Sequence, residues 1–233
     1  MILSPITGLY PILDAQCLEP LAGVSPTTIA QHMATLPISV VQLRCKGNGR
    51  QACEFMTRWM NALRRHCPKV KVILNDRLEL ALALDADGVH VGQEDLPIAL
   101  CRRLLGPDRI LGLSTHSLTE IRAAEAMQVH YVGFGPVFDT STKSDTQPVQ
   151  GLDALATVVQ ATHLPIVAIG GITQARIPSV LATGAAAVAM ISDLWQDDWS
   201  RRLTVACSSW QQAKVKDKTL GDESPKPPLF FNQ

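Results

Sequence analysis

Two acidic side chains, Asp76 and Asp95, each follow a short apolar segment typical of a buried strand. These segments, residues 72–74 and 89–91, are rich in β-branched side chains, and apolar residues recur at helical spacing between them. The pattern predicts a strand, a crossover helix and a second strand. Strands joined in this way are parallel, so their carboxyl ends lie at the same edge of the sheet and the two acids converge there.

Converging carboxylates suit a hard divalent cation such as Mg²⁺, which takes oxygen ligands and often shares them with substrate phosphates. Asp76 and Asp95 are therefore our predicted metal ligands, and Asn75, Gln93 and Glu94 lie nearby in the chain. A second interpretation is that both aspartates cap the helices that follow them, because Asp is favoured at that position. The residues alone leave both interpretations open.

A predicted strand over residues 40–44 could supply cations to the same edge. Side chains alternate across a strand, so Gln42, Arg44 and, just beyond the strand, Lys46 face a common space. Cations beside carboxylates make sense if a polyphosphate and Mg²⁺ lie between them, because each sign is then neutralised through the ligand. The alternative is a solvated basic turn.

Hydroxyl groups follow the predicted strand over residues 110–114. Ser114, Thr115 and His116 stand at its end, where hydroxyls could bond a ligand. Thr115 and His116 are equally well explained as caps of the next helix. That helix begins at Ser117, which has the capping-box spacing Ser-x-x-Glu.

Two further segments suit phosphate binding. The polar loop over residues 138–150 contains small hydroxyls and Lys143, and it is too long for a minimal connection. Gly170-Gly171 and Ile191-Ser192 follow later predicted strands, at the places where many barrels hold a phosphate with backbone N–H groups. Glycine lets the backbone come close to such a ligand.

These residues need a scaffold that brings the ends of many strands together. Strand and helix patterns alternate eight times in the 233-residue chain, which is the count and size of a single-domain (β/α)8 TIM barrel, an α/β fold. The 46% hydrophobic and 5% aromatic content fits parallel strands buried under helices. A doubly wound open sheet is the alternative, but it would not need eight strands. We expect a sixth strand over residues 131–137 and a closing helix over residues 193–213.

Charge and cysteine content narrow the function classes. Lys plus Arg equals Asp plus Glu, 21 of each, so no global field favours nucleic acid or an anionic membrane. The six cysteines form no CxxC pair and no zinc-like spacing, so we expect reduced thiols in a cytoplasmic protein. No apolar run is long enough to span a bilayer. The sequence leaves a homo-oligomer open.

Several short motifs together resemble one family. In chain order they are QLRCK at 42–46, ND at 75–76, GVHVGQEDLP at 88–97, LGLSTH at 111–116, GPVFDTSTK at 135–143, AIGGI at 168–172 and MIS at 190–192. They are similar to those of thiamine phosphate synthase, over roughly residues 8–195. That family is a (β/α)8 barrel that joins hydroxymethylpyrimidine diphosphate to thiazole phosphate, giving thiamine phosphate and releasing pyrophosphate.

The resemblance implies a role for each matched residue. Asp76 and Asp95 would hold Mg²⁺. The pyrimidine diphosphate would be bound by Gln42, Arg44, Lys46, Asn75, Ser114 and Lys143, and the thiazole phosphate by Thr140, Thr142, Gly171, Ile191 and Ser192. Leu43, Cys45 and Ser141 lie between these positions and complete the predicted substrate-binding set, in which Arg44, Lys46 and Lys143 are the predicted catalytic residues.

The chain departs from the family's motifs at one position. Cys45 replaces the glutamate usual in the family between the arginine and the lysine, and the alternation of side chains points it away from both, so we expect little effect on activity. Residues 1–213 are expected to form the barrel domain, and residues 214–233 a disordered tail without a core-forming pattern. A thiazole tautomerase of similar fold and a non-catalytic phosphometabolite-binding barrel remain the rival functions.

Overall fold

The computed structural model describes residues 6–21, 24–140 and 148–220, with side chains given as far as Lys214. Within those ranges, eight parallel strands close into a barrel in chain order, with β1 paired to both β2 and β8. The strands are β1 Gly8–Asp14, β2 Val40–Arg44, β3 Lys71–Asn75, β4 Gly88–Val91, β5 Ile110–Thr115, β6 Tyr131–Phe134, β7 Ile166–Ala168 and β8 Ala187–Met190. The predicted (β/α)8 barrel is confirmed, and the open sheet is excluded.

Helices follow the strands and cover the outside of the barrel. They are α1 Ala15–Leu18, α2 Pro26–Met33, α3 Gly49–His66, α4 Leu78–Ala83, α5 Ile98–Leu105, α6 Leu118–Glu125, α7 Gly151–Gln160, α8 Ile177–Leu181 and α9 Trp199–Leu220, with a short 3-10 helix at Gln174–Arg176 before α8. No helix in the described part of the chain combines the length and the apolar character that crossing a bilayer requires.

Local sequence signals fix several helix starts. The Ser25 hydroxyl accepts a hydrogen bond from Thr28 N–H at 3.1 Å, and Pro26 takes the first helical position of α2. Asn48 and Gln51 form a reciprocal capping box at the start of α3. Arg64, Arg65 and His66 occupy the last turn of α3, where positive charge is favourable to the helix dipole.

The barrel interior changes from apolar to polar along the strands. Inward side chains run from Val40 through Gln42 to Arg44 on β2 and from Ile73 to Asn75 on β3. A separate and larger apolar core lies between the sheet and the helices. Apolar packing therefore closes one end of the barrel, and polar side chains gather at the end where the strands terminate.

Three predicted boundaries are wrong. β6 ends at Phe134 rather than at residue 137, because Pro136 has no N–H to continue the ladder. The closing helix begins at Trp199 rather than at residue 193. Trp195, four residues before α9, is buried, and its indole N–H donates to Ile12 O at 2.6 Å. The segment before α9 therefore turns towards β1 instead of forming a helix. α9 also runs to Leu220, past the predicted end at Ala213; residues 221–233 lie outside the described part.

Candidate active site

The end of β2 presents two buried polar side chains to the barrel interior. Gln42 is 4% exposed and Arg44 6%. Arg44 pairs with the carboxylate of Asp14, which ends β1 beside it and is itself 1% exposed. Asp14 also accepts Gln16 N–H at 2.9 Å, so its carboxylate is held from two sides. Sequence reasoning missed Asp14; an acid that ends a buried strand beside another strand's arginine was the available signal.

Arg44 has donor capacity left after this pairing. Its Nε is a buried side-chain nitrogen with no hydrogen-bond partner among the described residues. A guanidinium offers five N–H donors in a fixed plane, and an unpaired buried donor is costly. An anionic ligand reaching this point would find both charge and a donor.

Lys46 lies two residues beyond β2 and reaches across to β3. Its Nζ lies 2.6 Å from Asp76 Oδ2, with the lysine side chain about half exposed at 52%. The structure therefore brings Lys46 to Asp76 and Asp95, the two predicted metal ligands. Leu43 lies between Gln42 and Arg44, and Cys45 lies between Arg44 and Lys46. Both side chains pack towards the core between the sheet and the helices, so only their backbone groups could contact a ligand at the mouth of the barrel.

Asp76 and Asp95 converge at the ends of β3 and β4, and neither caps a helix. The capping position of α4 is Arg77 and that of α5 is Pro97, each without a side-chain cap. Asp95 instead accepts Gly92 N–H at 2.6 Å within its own turn. The capping interpretation of the two aspartates is wrong.

The two carboxylates affect each other electrostatically. Burial raises the pKa of Asp95, and the neighbouring negative charge of Asp76 raises it further against the lowering effect of the Gly92 N–H. Like charges held this close favour an added cation. Among the described residues, no group of three or more His, Cys, Asp or Glu could hold a metal ion. Mg²⁺ commonly binds through one or two carboxylates plus water and substrate phosphate, so this pair fits it.

Ser114 and Asn75 face the same interior space. Asn75 pairs in register with His90 on β4, and Ser114 with Gly133 on β6. The Ser114 hydroxyl lies 2.9 Å from His90 Nε2, and its carbonyl accepts from the Gln93 side chain at 2.6 Å. Sequence reasoning placed Ser114 and Asn75 correctly at the strand ends but did not identify His90.

Thr115 and His116 have structural roles. The Thr115 hydroxyl donates to Gly133 O at 3.0 Å inside the core. The His116 Nδ1 lies 2.6 Å from Gly135 O. Both residues therefore fasten β5 to the β6 region, whereas Ser117 caps α6. The capping interpretation is wrong for these two residues.

The loop after β6 approaches the double glycine that follows β7. Gly171 has φ +60°, and a Cβ built there would lie 2.3 Å from Asp139 O, so this position requires glycine. Arg176 donates to Gly171 O at 2.6 Å and lies 4.4 Å from the Phe138 ring centroid, which ties the two loops together. Arg176 is a further residue that the sequence did not reveal.

The remaining predicted residues lie on either side of that contact. Thr140 is half-buried at the end of the described part of the loop, whereas Ser141, Thr142 and Lys143 fall outside the described residues. Ile191 is half-buried and Ser192 is exposed, directly after β8. Gly171, Ile191 and Ser192 therefore follow two adjacent strands of the barrel.

A cavity of about 530 Å³ at the opposite end of the barrel is a different kind of site. Five of its six charged lining residues form ion pairs with one another: Asp87 with Arg64 and Lys71, and Asp85 with Arg109. These charges are therefore largely neutralised within the protein, at the amino-terminal end of the strands.

Comparison with known proteins gives a consistent result. Residues 9–194 match the family model described as thiamine monophosphate synthase. The thiamine-phosphate synthase of Syntrophomonas wolfei subsp. wolfei is 44% identical over 188 residues, covering 80% of this chain and 88% of that protein. The thiamine-phosphate synthase of Synechococcus sp. (strain CC9605) is 42% identical over 170 residues, which are 72% of this chain; the chain spans only 47% of that relative.

A solved structure supports the same relationship. The thiamine phosphate pyrophosphorylase from Pyrococcus furiosus superimposes with a TM-score of 0.76 at 29% identity. The superposition covers 89% of this chain and 96% of that one.

Proposed function

The chain belongs to the thiamine monophosphate synthase family and is a transferase of thiamine biosynthesis, and we propose that it joins its two substrates at the mouth of the barrel. Hydroxymethylpyrimidine diphosphate and thiazole phosphate are condensed there to thiamine phosphate, and pyrophosphate is released. The rival functions, a tautomerase and a non-catalytic barrel, are favoured by no observation at this site.

The observation that carries the proposal is the pairing of opposite charges at neighbouring strand ends. Arg44 pairs with Asp14, Lys46 pairs with Asp76, and Asp95 lies within electrostatic reach of both Asp76 and Lys46. A Mg²⁺–diphosphate complex matches this arrangement, because the carboxylates take the metal and the cations take the phosphate oxygens. The unpaired Nε of Arg44 supports a role in anion binding.

Asp76 and Asp95 would hold Mg²⁺, which, when bound, neutralises negative charge on the diphosphate. The protein's cations act on the same charge. When the bond from the pyrimidine methylene carbon to the diphosphate oxygen breaks, the bonding electron pair leaves with pyrophosphate. Arg44, Lys46 and Lys143 stabilise that growing negative charge, which is a preorganised electrostatic contribution.

The electron-rich pyrimidine carries the positive charge left on its methylene carbon. The thiazole ring nitrogen then donates its lone pair to that carbon and forms the new C–N bond. No protein nucleophile takes part in this scheme. Asp14 contributes indirectly, because it holds the Arg44 guanidinium in place.

The thiazole phosphate is assigned to the opposite side of the mouth. Backbone N–H groups near Gly171, together with Ile191 and the Ser192 hydroxyl, are the proposed phosphate site. Thr140 and Thr142 from the loop after β6 are assigned to the same substrate. The contact of Gly171 with Asp139 supports this grouping, because it brings the loop and the glycine turn together.

We further propose a cytoplasmic location, which the cysteine pattern supports, and no binding of nucleic acid or membrane, which the balanced charge supports.

Product formation from the two synthetic substrates tests the function directly. We expect thiamine phosphate and pyrophosphate in equal amounts with Mg²⁺, and loss of both when the metal is chelated and return when it is restored. Incubation with thiazole phosphate alone is the control for tautomerase activity. Isomerisation of the thiazole without condensation would overturn the proposal.

A further inference from the structure

Five side chains form a continuous hydrogen-bonded chain across the barrel interior. Gln42 Nε2 lies 3.3 Å from the Tyr10 hydroxyl, which lies 2.9 Å from the Tyr131 hydroxyl. Tyr131 in turn lies 2.9 Å from His90 Nδ1, and His90 Nε2 lies 2.9 Å from the Ser114 hydroxyl. This hydrogen-bonded chain joins Gln42 and Ser114, which are assigned to the pyrimidine substrate, through three residues that have no assigned role: Tyr10, Tyr131 and His90.

A glycine makes this chain possible. Gly112 on β5 pairs in register with His90 on β4 and with Tyr131 on β6. A Cβ at Gly112 would lie 2.2 Å from Tyr131 Cζ and 2.5 Å from His90 Nδ1. The histidine and the tyrosine therefore meet across β5 in the space that a side chain would fill. Their rings stack at a centroid distance of 5.4 Å, which fixes the imidazole plane.

The bond directions follow from counting hydrogens. Burial raises the pKa of both Tyr10 and Tyr131, so each phenol keeps one hydrogen to donate. Gln42 Nε2 donates to the Tyr10 oxygen, which leaves the Tyr131 oxygen, 2.9 Å away, as the acceptor for the Tyr10 hydrogen among the described residues. Tyr131 must then give its own hydrogen to His90 Nδ1. The reverse direction would leave the buried Tyr10 hydrogen without an acceptor among the residues that the structure describes, which is unfavourable.

A histidine that accepts at Nδ1 and is neutral carries its hydrogen on Nε2. That hydrogen points at the Ser114 oxygen, 2.9 Å away. Ser114 therefore accepts from inside the barrel, and its own hydrogen is directed elsewhere. Ser114 is half-buried at the end of β5, so the direction left to it is the mouth of the barrel.

We propose that His90 is a positioning residue whose neutral Nε2–H form, set by Tyr131, turns the Ser114 hydroxyl into a donor towards an acceptor atom of the pyrimidine substrate. The assignment of Ser114 to that substrate rests on the proposed function; the state of His90 does not. Gln42 and Tyr10 form the far end of the same hydrogen-bonded chain, and only Tyr131 contacts His90 directly.

Nitrogen NMR of the full-length enzyme labelled with ¹⁵N-histidine tests the first half of the proposal without any substrate. The chain has six histidines, and the signal lost in His90→Asn identifies His90. We expect the neutral Nε2–H form in the wild type. Tyr131→Phe removes the donor to Nδ1, so His90 should shift towards a mixture of both neutral forms or become protonated. A wild-type His90 with its hydrogen on Nδ1, or with both nitrogens protonated, would overturn the proposal.

Tyr10→Phe is the matched control, because it removes a phenol from the same chain but leaves the Tyr131–His90 bond. We expect the Nε2–H form to persist in this variant. Thermal unfolding of both variants checks that each is folded. If Tyr131→Phe does not fold, the wild-type spectrum still decides the hydrogen position.

Kinetics test the second half. Tyr131→Phe should raise KM for the pyrimidine diphosphate by roughly 2–10-fold, the effect of one neutral hydrogen bond, and spare KM for the thiazole phosphate. An unchanged pyrimidine KM in a folded Tyr131→Phe enzyme with altered His90 would show that the chain does not position the substrate. A wild-type enzyme that makes no product from the two substrates would contradict the proposed function, but the NMR result on His90 would still hold.

Discussion

Lys46 and Asp76 form an ion pair across the mouth of the barrel, with Nζ 2.6 Å from Oδ2. The lysine ammonium is therefore paired with a carboxylate that we propose as a Mg²⁺ ligand. Because the lysine side chain is half exposed, such a pair contributes only about 0–1 kcal/mol. A divalent cation arriving with its diphosphate can therefore take the carboxylate, and the ammonium can move onto a phosphate oxygen at little cost.

Replacing either proposed metal ligand should remove most Mg²⁺-dependent turnover. We expect Asp76→Asn and Asp95→Asn each to weaken Mg²⁺ binding by at least the roughly 10–100-fold that loss of a supporting partner costs a metal site. Asparagine is the right replacement at residue 76, because φ there is +60° and Asn tolerates that conformation. Calorimetric titration with Mg²⁺ and a thermal melt measure binding and folding separately.

Glu94→Gln is the control for these two variants, because it removes an adjacent exposed acid that is not a proposed ligand. It should bind Mg²⁺ like the wild type. Full Mg²⁺ affinity in either aspartate variant would exclude that residue as a ligand.

Asp14→Asn should destabilise the protein more than a typical charge change. Both partners of the Asp14–Arg44 pair are buried, and removing one member of such a pair costs roughly 3–5 kcal/mol, because the other charge is left without compensation. KM for the pyrimidine diphosphate should also rise, since Arg44 is no longer held. Urea unfolding and steady-state kinetics measure the two effects; a loss of stability no larger than that of the exposed-site variant Glu19→Gln would contradict the first.

Asp87 should make stability depend on pH in the acid range. Burial raises its pKa, but the Val72 N–H and the charges of Lys71 and Arg64 outweigh burial and hold the pKa below its ordinary value. A lowered pKa in the folded state stabilises the protein above the unfolded pKa, about 3.9, and this contribution is lost as pH falls through the folded value.

Asp87→Asn should therefore lower the free energy of unfolding by roughly 1.5–3 kcal/mol at neutral pH, and the difference from wild type should shrink below about pH 4. Urea unfolding across this pH range measures it. Asp85→Asn, at a side chain that is 89% exposed, is the control and should change little at any pH. A difference that grows as the pH falls would show that the sign is wrong.

The two substrates should respond to different mutations. Lys143→Ala removes a cation from a leaving group whose charge grows in the transition state, so kcat should fall and the pyrimidine substrate should bind more weakly. The loss should be about 10–150-fold, the equivalent of roughly 1.5–3 kcal/mol for a hydrogen bond to a charged group.

Ser192→Ala removes one donor to a phosphate that does not react. Its effect should fall mainly on KM for the thiazole phosphate, with backbone N–H groups near Gly171 still holding part of the anion. Steady-state kinetics with each substrate varied in turn separates the two variants. If Ser192→Ala instead raised KM for the pyrimidine diphosphate alone, the placement of the two ligands would be reversed.

The strand ends were predictable because their signals are local. An alternating apolar pattern specifies which side chains face inward, and parallel strands necessarily end at one edge, so Asp76, Asp95, Arg44 and Ser114 could be assigned to one face from the sequence. The cap of α2 at Ser25 was predictable for the same reason, since it depends on residues only three positions apart.

Contacts between distant segments were not predictable in this way. The Trp195 indole donates a hydrogen bond to Ile12 on β1, 183 positions earlier in the chain, and α9 therefore starts later than predicted. Such hydrogen bonds depend on which distant groups the fold brings together, and the residue pattern along one segment does not predict them.

The sequence by itself determined the barrel, the edge that carries the chemistry and the family, because periodicity and short motifs are properties of neighbouring residues. Only the tertiary structure decided that Asp14 holds Arg44, that neither Asp76 nor Asp95 is a helix cap, and that His90 reaches Tyr131 across Gly112. These are pairings between different strands. Closure of the barrel sets their register, and the close packing of its interior then leaves each polar group a small set of partners.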